Sequence, residues 1–144
     1  MNIKITAVVT TYNRKYEARR ALCSIYSQTR IPDEVILVDD ASEDGTREFL
    51  EQSDFDGLHY IQNQVRLGAG TARNVGIRAA SGDYIAFLDS DNIWTEDKLE
   101  VFEKEIFESE FMPDFVFSKY KKHITYRVVE FPMIPEGIQW ERFI

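Results

Sequence analysis

Short apolar segments alternate with segments of helical spacing four times in the first two thirds of this chain, and this alternation limits the possible folds more than any other feature. The apolar segments resemble buried strands and span Ile3–Val9, Val35–Val38, Leu58–Ile61 and Tyr84–Leu88. In the segments that follow them, apolar residues recur every three or four positions, which is typical of helices that bury one face. Four strand–helix units in succession predict an α/β fold with a mainly parallel sheet and helices on both faces.

Each helical segment carries a predicted buried face. In chain order these faces comprise Ala18, Ala21, Leu22 and Ile25; Phe49 and Leu50; Ala72, Val75, Gly76 and Ala79; and Leu99, Phe102 and Ile106. Ser42 precedes acidic residues and is expected to cap the second helix, and Gly82 is expected to end the third. Cys23 lies in the apolar stripe of the first helix and is expected in the core.

The alternating pattern breaks near Pro113. Residues 114–120 and 124–131 have the partial alternation of longer strands, and the KYKKH stretch between them predicts a hairpin connection. We therefore expect a mixed or antiparallel extension after about residue 113. The final stretch, 132–144, carries more apolar side chains than an exposed tail, so it is expected to pack back or to meet a partner.

Composition excludes several classes of protein. The chain has 144 residues, which suits one domain, and a formal net charge of −8, which repels nucleic acid. The single cysteine, Cys23, excludes an intrachain disulfide and indicates a reducing compartment. No run of residues approaches the ~20 apolar positions of a transmembrane segment, so we expect a cytoplasmic domain that reaches the inner face of the cell membrane only through something outside these residues.

Polar side chains collect where the predicted strands end. The strand ends and the loop after the third strand supply Thr10, Tyr12, Asn13, Asp39, Asp40, Arg66, Arg73, Asp89, Ser90 and Asp91. Right-handed crossovers bring the carboxyl ends of parallel strands to one edge of the sheet, where the ligands of open α/β sheets bind. We therefore predict a ligand site at this edge.

Asp89 and Asp91, one residue apart at a strand end, suit a hard divalent cation. Mg²⁺ and Mn²⁺ take oxygen ligands and usually share one or two protein carboxylates with substrate phosphates. A cation of this kind also allows an acidic domain to bind a diphosphate, and Arg66 and Arg73 add positive charge. The predicted ligand is therefore a metal-bound diphosphate.

The other residues at this edge have both functional and structural explanations. Tyr12 offers a ring face to a base, and Asp39 can accept a hydrogen bond from a ring nitrogen or a ribose hydroxyl. The structural explanations are equally simple. Tyr12 can be a packed aromatic side chain, Asp39 and Asp40 can be helix caps, and Arg73 can lie on the solvated side of a helix. Two acids and a serine after the IAFL strand exceed what capping requires, so this triplet carries the functional hypothesis.

Taken in order, these residues resemble the family 2 glycosyltransferases of the GT-A fold. The similar stretches are VVTTYNR at the first strand, VDDASEDGT after the second, and GAGTARNVGIRAASGDYIAFLDSDN leading to the fourth. The resemblance covers about Ile3–Phe102 and implies a Rossmann-like sheet. It also implies a single glycosyltransferase-like domain over 1–144, in which 1–112 bind a nucleotide-sugar and 113–144 form a partial, truncated acceptor-side extension.

The resemblance implies sugar transfer with inversion at the anomeric carbon, from a nucleotide-sugar that usually carries UDP, with Mn²⁺ or Mg²⁺ as cofactor. The matching positions are Thr10, Tyr12 and Asp39 for the nucleoside, Arg73 of the ARN motif beside the nucleotide, Asp89 for ribose or metal, and Asp91 for metal. The acceptor is expected to be a saccharide or a lipid-linked saccharide of a cell-envelope polysaccharide.

Two features depart from the family pattern. Asn92 stands where the family commonly has a further acid, which lowers the expected metal affinity. The family's general base has no convincing counterpart, since the acids available late in the chain are Glu130, Glu136 and Glu141. The catalytic residue therefore stays unassigned.

Two other functions also fit the sequence. A nucleotide-sugar-binding module without turnover agrees with the unassigned base and with Asn92. A phosphatase of the haloacid dehalogenase type also places Asp-x-Asp after an apolar strand, with the first acid as nucleophile and the second as general acid. The late position of the Asp-x-Asp motif in this chain counts against the phosphatase.

Overall fold

The computed structural model of the chain describes residues 3–110, 113–116, 118, 120–124 and 127–131. The chain divides into two compact units, Met1–Phe107 and Glu108–Ile144. Within the described residues, no helix combines the length and the apolar character needed to cross a membrane.

The first unit consists of four strand–helix pairs. Its elements are β1 (Ile5–Thr11), α1 (Lys15–Tyr26), β2 (Glu34–Asp39), α2 (Thr46–Glu51), β3 (Leu58–Gln62), α3 (Ala69–Ala79), β4 (Tyr84–Asp89) and α4 (Lys98–Glu108). The four strands form one parallel sheet in the order β3-β2-β1-β4. All of β1 is buried, as expected for a central strand covered on both faces. The predicted α/β fold with a parallel sheet flanked by helices is confirmed.

Helix α3 packs closely on the sheet. The core between them contains Val8, Ile36, Val38 and Ala72, with Ile61, Val75, Ala79, Ala80 and Ile85 packed against it. Gly76 permits this approach, because a Cβ there would lie 2.4 Å from Cγ1 of Val8. The predicted inward face of α3 is therefore confirmed.

Gly82 has a different role from the one expected. Helix α3 ends at Ala79, and Ala80 already has an extended backbone. A Cβ at Gly82 would lie 2.9 Å from the backbone nitrogen of Thr6 and 2.9 Å from the carbonyl oxygen of Lys4. Gly82 therefore allows the chain to pass close to β1 before β4 begins, instead of ending the helix.

The two expectations for Cys23 and Ser42 were wrong. The predicted stripe of α1 is buried, but Cys23 lies one position outside it and is exposed. Helix α2 begins at Thr46 after Gly45, whose φ of 77° breaks the helical path, so Ser42 lies too early to cap it. The hydroxyl of Ser42 instead accepts a hydrogen bond from the backbone nitrogen of Asn13 at 2.8 Å.

In the second unit, β5 (Tyr120–Ile124) and β6 (Arg127–Phe131) form an antiparallel pair. The predicted antiparallel extension is confirmed, but the KYKKH stretch expected to connect the strands lies largely within β5. The apolar stretch 132–144, with Glu136 and Glu141, lies outside the described residues.

Candidate functional site at the carboxyl edge of the sheet

The strand order reverses at β1, and the predicted site residues collect there. The chain moves from β1 outward through β2 to β3 and then returns to place β4 on the other side of β1. In register, Thr11 lies beside Asp39 of β2, and Thr10 lies beside Asp89 of β4. Because neighbouring strands are about 4.8 Å apart, the two aspartates are separated by roughly 10 Å across the end of β1. Crevices at such reversal points are the usual ligand sites of open α/β sheets.

Each carboxylate of the Asp89-Ser90-Asp91 triplet is paired with an arginine from a different element. Nη2 of Arg73 on α3 lies 2.6 Å from Oδ1 of Asp89, and Nη1 of Arg14 lies 2.6 Å from Oδ2 of Asp91. Both aspartates are about half exposed, at 45% and 52% of their side-chain surface. Arg73 and Asp89 are thus brought together as the sequence suggested, whereas the partner of Asp91 was not anticipated.

A tight turn sets the direction of the triplet. The backbone nitrogen of Ser90 donates to the carbonyl oxygen of Thr10 at 3.2 Å, which extends the pairing of β4 with β1 by one residue. The backbone nitrogen of Asn92 then donates to the carbonyl oxygen of Asp89 at 2.9 Å. Ser90 is buried while Asp91 is exposed, so the turn directs the second carboxylate out of the sheet edge.

Asp39 is fully buried and is held by two hydrogen bonds. The backbone nitrogen of Ser42 donates to Oδ1 at 2.9 Å, and the hydroxyl of Tyr60 donates to Oδ2. Burial and the neighbouring Asp39 charge raise the pKa of Tyr60, so this hydroxyl stays protonated and acts as a donor. Asp39 therefore stands at the edge of the sheet as a carboxylate of fixed orientation.

Asp40 anchors the loop between β3 and α3. Its carboxylate accepts hydrogen bonds from the backbone nitrogens of Leu67 and Gly68, at 2.9 and 2.7 Å, and from Nδ2 of Asn63 at 2.8 Å. Burial acts to raise the pKa of Asp40, but these hydrogen bonds and the charge of Arg66 outweigh it, so the pKa lies below its usual value. In the structure Asp40 positions the loop that carries Arg66.

The ring of Tyr12 is covered on one face by a guanidinium. The guanidinium carbon of Arg66 lies 4.2 Å from the ring centroid, within the range of a cation–π contact. The structure therefore brings together the two residues that were expected to meet a base and a phosphate. A base that stacks on this face of Tyr12 has to displace Arg66.

Asn13 links the loops that follow β1 and β2. Its backbone nitrogen donates to Oγ of Ser42, and its Oδ1 accepts from the backbone nitrogen of Glu43, both at 2.8 Å. The φ of Asn13 is 50°, a left-handed conformation that asparagine adopts more readily than most residues. Two positions further on, Lys15 donates to Asp44 through its backbone nitrogen at 3.1 Å. Asn13 therefore fixes the loops around the site.

A cavity of about 380 Å³ opens at the same edge of the sheet, beside β2 and β3. It is lined by Ser42, Glu43, Gly45, Thr46, Arg47, Glu48 and Gln62. None of the four residues expected to border a common hollow, Tyr12, Asp39, Asp89 and Asp91, lines this cavity. The shared hollow stays a prediction.

Three residues of the site were missed from the sequence, namely Arg14, Tyr60 and Asn63. Tyr60 is two residues from the end of β3, and the alternation of strand side chains places it on the same face as Asp39 once the register is known. Arg14 directly follows the YN pair, so a cation after the first strand was the available signal.

The donor set at Asp89 and Asp91 fits a magnesium-like or manganese-like ion. Both acids offer carboxylate oxygens at the exposed edge of the sheet, and such ions commonly use only one or two protein carboxylates. Within the described part of the chain, no cluster of three or more His, Cys, Asp or Glu residues could hold a metal. The remaining ligands of an ion here would therefore come from water or from substrate phosphate.

Comparison with known proteins assigns the chain to a class. The family described as Glycosyl transferase family 2 matches residues 6–140, so the chain belongs to this family. The family assignment excludes the phosphatase alternative, and it confirms the resemblance to family 2 glycosyltransferases found in the sequence.

One curated relative is the UDP-Glc:alpha-D-GlcNAc-diphosphoundecaprenol beta-1,3-glucosyltransferase WfgD of Escherichia coli. It is 38% identical over 98 residues, which cover 67% of this chain and 38% of WfgD. The glycosyltransferase GlyA of Streptococcus pneumoniae is 36% identical over 106 residues, which cover 73% of this chain and 15% of GlyA. The chain therefore spans well under half the length of either relative.

Two solved structures share the fold. S. aureus TarS 1-349 in complex with UDP-GlcNAc has a TM-score of 0.67 and 31% identity, covering 74% of this chain and 32% of that structure. The mannosyltransferase PcManGT of Pyrobaculum calidifontis, in complex with GDP-Man and Mn²⁺, has a TM-score of 0.60 and 32% identity, covering 69% and 31%. The sheet of this chain is thus a GT-A, Rossmann-like sheet.

Proposed function

We propose that this chain is the donor-binding part of an inverting glycosyltransferase that takes a nucleotide diphosphate sugar, specifically a UDP-sugar, together with a divalent metal. The observation that carries the proposal is the register at the carboxyl edge, which places Asp39 and Asp89 on either side of the end of β1. The complexes of similar proteins with UDP-GlcNAc and with GDP-Man support a nucleotide-sugar as ligand.

The nucleoside is assigned to the β1–β2 side of the edge. Tyr12 provides the stacking face once Arg66 moves from it, and Asp39, which is fully buried in the free protein, accepts a hydrogen bond from the base or the ribose once the groups that cover it move. Because Tyr60 and Ser42 hold Asp39 in one orientation, little side-chain entropy is lost when the nucleoside binds. Asn13 completes this side of the site through its hydrogen bonds to the loop after β2. Thr10, also assigned to the nucleoside, lies at the end of β1 beside Asp89 and borders both sides of the site.

The diphosphate is assigned to the β1–β4 side. Asp89 and Asp91 would hold a divalent metal, and Arg73 and Arg66 contribute positive charge beside it. When bound, the metal neutralises phosphate charge and stabilises the departing diphosphate. The protein's formal charge of −8 makes this neutralisation necessary for tight binding of an anionic donor. A Mn²⁺ complex of a similar mannosyltransferase supports the choice of metal.

The acceptor is a saccharide or a lipid-linked saccharide, a class supported by the diphosphoundecaprenol-linked acceptor in the name of WfgD. Inversion requires the acceptor hydroxyl to attack from the face opposite the departing diphosphate, with a general base to take its proton. Glu130 lies on β6, and Glu136 and Glu141 lie outside the described residues, so the base is left unassigned.

The test is a calorimetric titration of UDP with and without Mn²⁺. Wild-type protein is expected to bind UDP more tightly when Mn²⁺ is present. Asp91→Ala is expected to lose most of that metal-dependent gain, because it removes a carboxylate from the metal site. The matched control is Asp54→Ala, which removes an exposed acid that follows α2.

A dissociation constant for UDP that is the same with and without Mn²⁺, and the same in Asp91→Ala as in wild type, would overturn the proposal. A subsequent assay for release of UDP from UDP-sugars, with and without saccharide acceptors, separates a transferase from a module that only binds its donor.

A further inference from the structure

Both acids of the candidate metal site are already neutralised by side chains of the protein. Arg14 lies directly before α1 and reaches Asp91 across 77 positions of sequence, and Arg73 reaches Asp89 from α3. Each nitrogen–oxygen distance is 2.6 Å, which is short for a charge-assisted hydrogen bond. A divalent cation that binds these carboxylates therefore competes with two guanidinium groups.

The two arginines differ in how easily they can leave. Arg14 is 49% exposed and pairs with an aspartate that is 52% exposed, whereas Arg73 is 38% exposed and projects from a helix packed on the sheet. The backbone of Arg14 is fixed, because its carbonyl oxygen accepts a hydrogen bond from the nitrogen of Ala18 at 2.8 Å. Only its side chain has to move, and exposed ion pairs of this kind are weak.

A diphosphate offers Arg14 a better partner than the carboxylate it leaves. The planar guanidinium binds phosphate oxygens in a bidentate manner, and the donor carries more negative charge than one aspartate. Asp91 in turn gains a divalent cation in place of a monovalent one. The exchange is more favourable when metal and nucleotide are both present than with either ligand alone, since either alone leaves a charge uncompensated.

We propose that Arg14 is a positioning residue that holds Asp91 before donor and metal bind and transfers to the donor diphosphate when a metal takes the carboxylate. This inference rests on the proposed function and adds a consequence for binding. Arg14 makes the binding of Mn²⁺ and the binding of nucleotide favour each other. Since such coupling is reciprocal, it is measurable from either ligand.

The experiment measures Mn²⁺ binding to the protein by electron paramagnetic resonance and calorimetry, without nucleotide and then at saturating UDP. Without nucleotide, Arg14→Gln is expected to bind Mn²⁺ about two- to fivefold more tightly than wild type, because the competing cation is gone. This range corresponds to about 0.4 to 1 kcal/mol, typical of an exposed ion pair. The factor by which UDP tightens Mn²⁺ binding is expected to fall by at least as much.

Two variants make the result specific. Arg20→Gln removes the same charge from an exposed position of α1 and is expected to leave both Mn²⁺ constants at their wild-type values. Arg14→Lys keeps a cation and is expected to restore the wild-type coupling in large part. Circular dichroism spectra of the variants confirm that all are folded.

The outcomes separate the two proposals. Unchanged or weaker Mn²⁺ binding in Arg14→Gln, in a protein whose wild type binds Mn²⁺ and UDP together, overturns the role of Arg14 and leaves the proposed function in place. Failure of the wild-type protein to bind Mn²⁺ and UDP together overturns both.

Discussion

Arg73 and Asp89 form an ion pair across the point where the strand order reverses, with 2.6 Å between Nη2 of the arginine and Oδ1 of the aspartate. Arg73 lies one turn into α3, and Asp89 is the last residue of β4. Oγ1 of Thr10 on β1 lies 3.5 Å from the same carboxylate oxygen. Helix α3, β1 and β4 thus meet at one carboxylate, and the position of this charge depends on all three elements.

The first prediction concerns Arg73→Gln. At saturating Mn²⁺, we expect the dissociation constant for UDP to rise about five- to tenfold, because the site loses a charge beside the diphosphate. The effect is at the lower end of what a charged hydrogen bond contributes, since both side chains are partly exposed. Calorimetry measures it, and Arg78→Gln in the last turn of the same helix is the control. Equal constants for the two variants would show that Arg73 lies outside the donor site.

The second prediction concerns Tyr60→Phe. The hydroxyl of Tyr60 donates to Asp39, which is fully buried, so the variant leaves a buried carboxylate short of one donor. We expect a loss of about 1–3 kcal/mol in the free energy of unfolding, measured by urea denaturation.

Tyr26→Phe is the matched control for this substitution. The hydroxyl of Tyr26 donates to the carbonyl oxygen of Asp56 at 2.9 Å, an exposed contact with a neutral acceptor, so its loss is expected to be smaller. Similar losses in the two variants would contradict a special role for the Tyr60–Asp39 hydrogen bond.

The sequence predicts the strands and the buried helix faces of this fold, because the local spacing of apolar residues determines them. The strand that ends at Asp89 and the inward face of α3 follow from apolar periodicity, and both are confirmed. The acids at the strand ends follow from the same periodicity, because an unpaired carboxylate is costly inside a buried strand and is expected where the strand ends. The right-handed crossover rule then places these ends at one edge of the sheet.

The contacts that sequence missed depend on strand order and register. Tyr60 reaches Asp39 only because β3 pairs with β2, and Arg14 reaches Asp91 only because β4 lies next to β1. Neither pairing is encoded in local periodicity. For Ser42 the local pattern gave a wrong prediction. Its side chain is suited to a helix cap, but α2 begins only after the left-handed Gly45, and the hydroxyl of Ser42 accepts a hydrogen bond from the backbone nitrogen of Asn13 instead.

The third prediction is a pH dependence of stability that comes from Asp40. The pKa of Asp40 is lowered in the folded protein, so its carboxylate contributes stability that is complete above the unfolded value of about 3.9 and is lost as the pH falls through the folded value. We expect Asp40→Asn to be less stable than wild type by about 1–3 kcal/mol at pH 7, because the backbone nitrogens of Leu67 and Gly68 lose a charged acceptor.

The difference between wild type and Asp40→Asn is expected to narrow as the pH falls below about 4, where Asp40 of the unfolded chain becomes protonated, and to keep narrowing until the pH passes the lowered pKa of the folded protein. Urea denaturation at a series of pH values measures it, with Asp54→Asn as the control substitution at an exposed acid. A difference that stays constant from pH 7 to pH 3 would mean that the charge of Asp40 contributes nothing to the anchoring of this loop.

The fourth prediction separates the two glycines of α3. A Cβ at Gly76 would lie 2.4 Å from Cγ1 of Val8, whereas a Cβ at Gly70 has nothing within 4 Å. Gly76→Ala is therefore expected to destabilise the protein by about 1–3 kcal/mol, because α3 has to move away from β1. Gly70→Ala is expected to stabilise it by up to about 1 kcal/mol, since alanine loses less backbone entropy in a helix. Thermal denaturation of both variants measures the contrast.

Because α3 also carries Arg73, displacement of the helix in Gly76→Ala is expected to weaken UDP binding as well, while Gly70→Ala retains the helix position. Stabilisation by both substitutions would show that α3 does not pack on β1 as closely as this geometry requires.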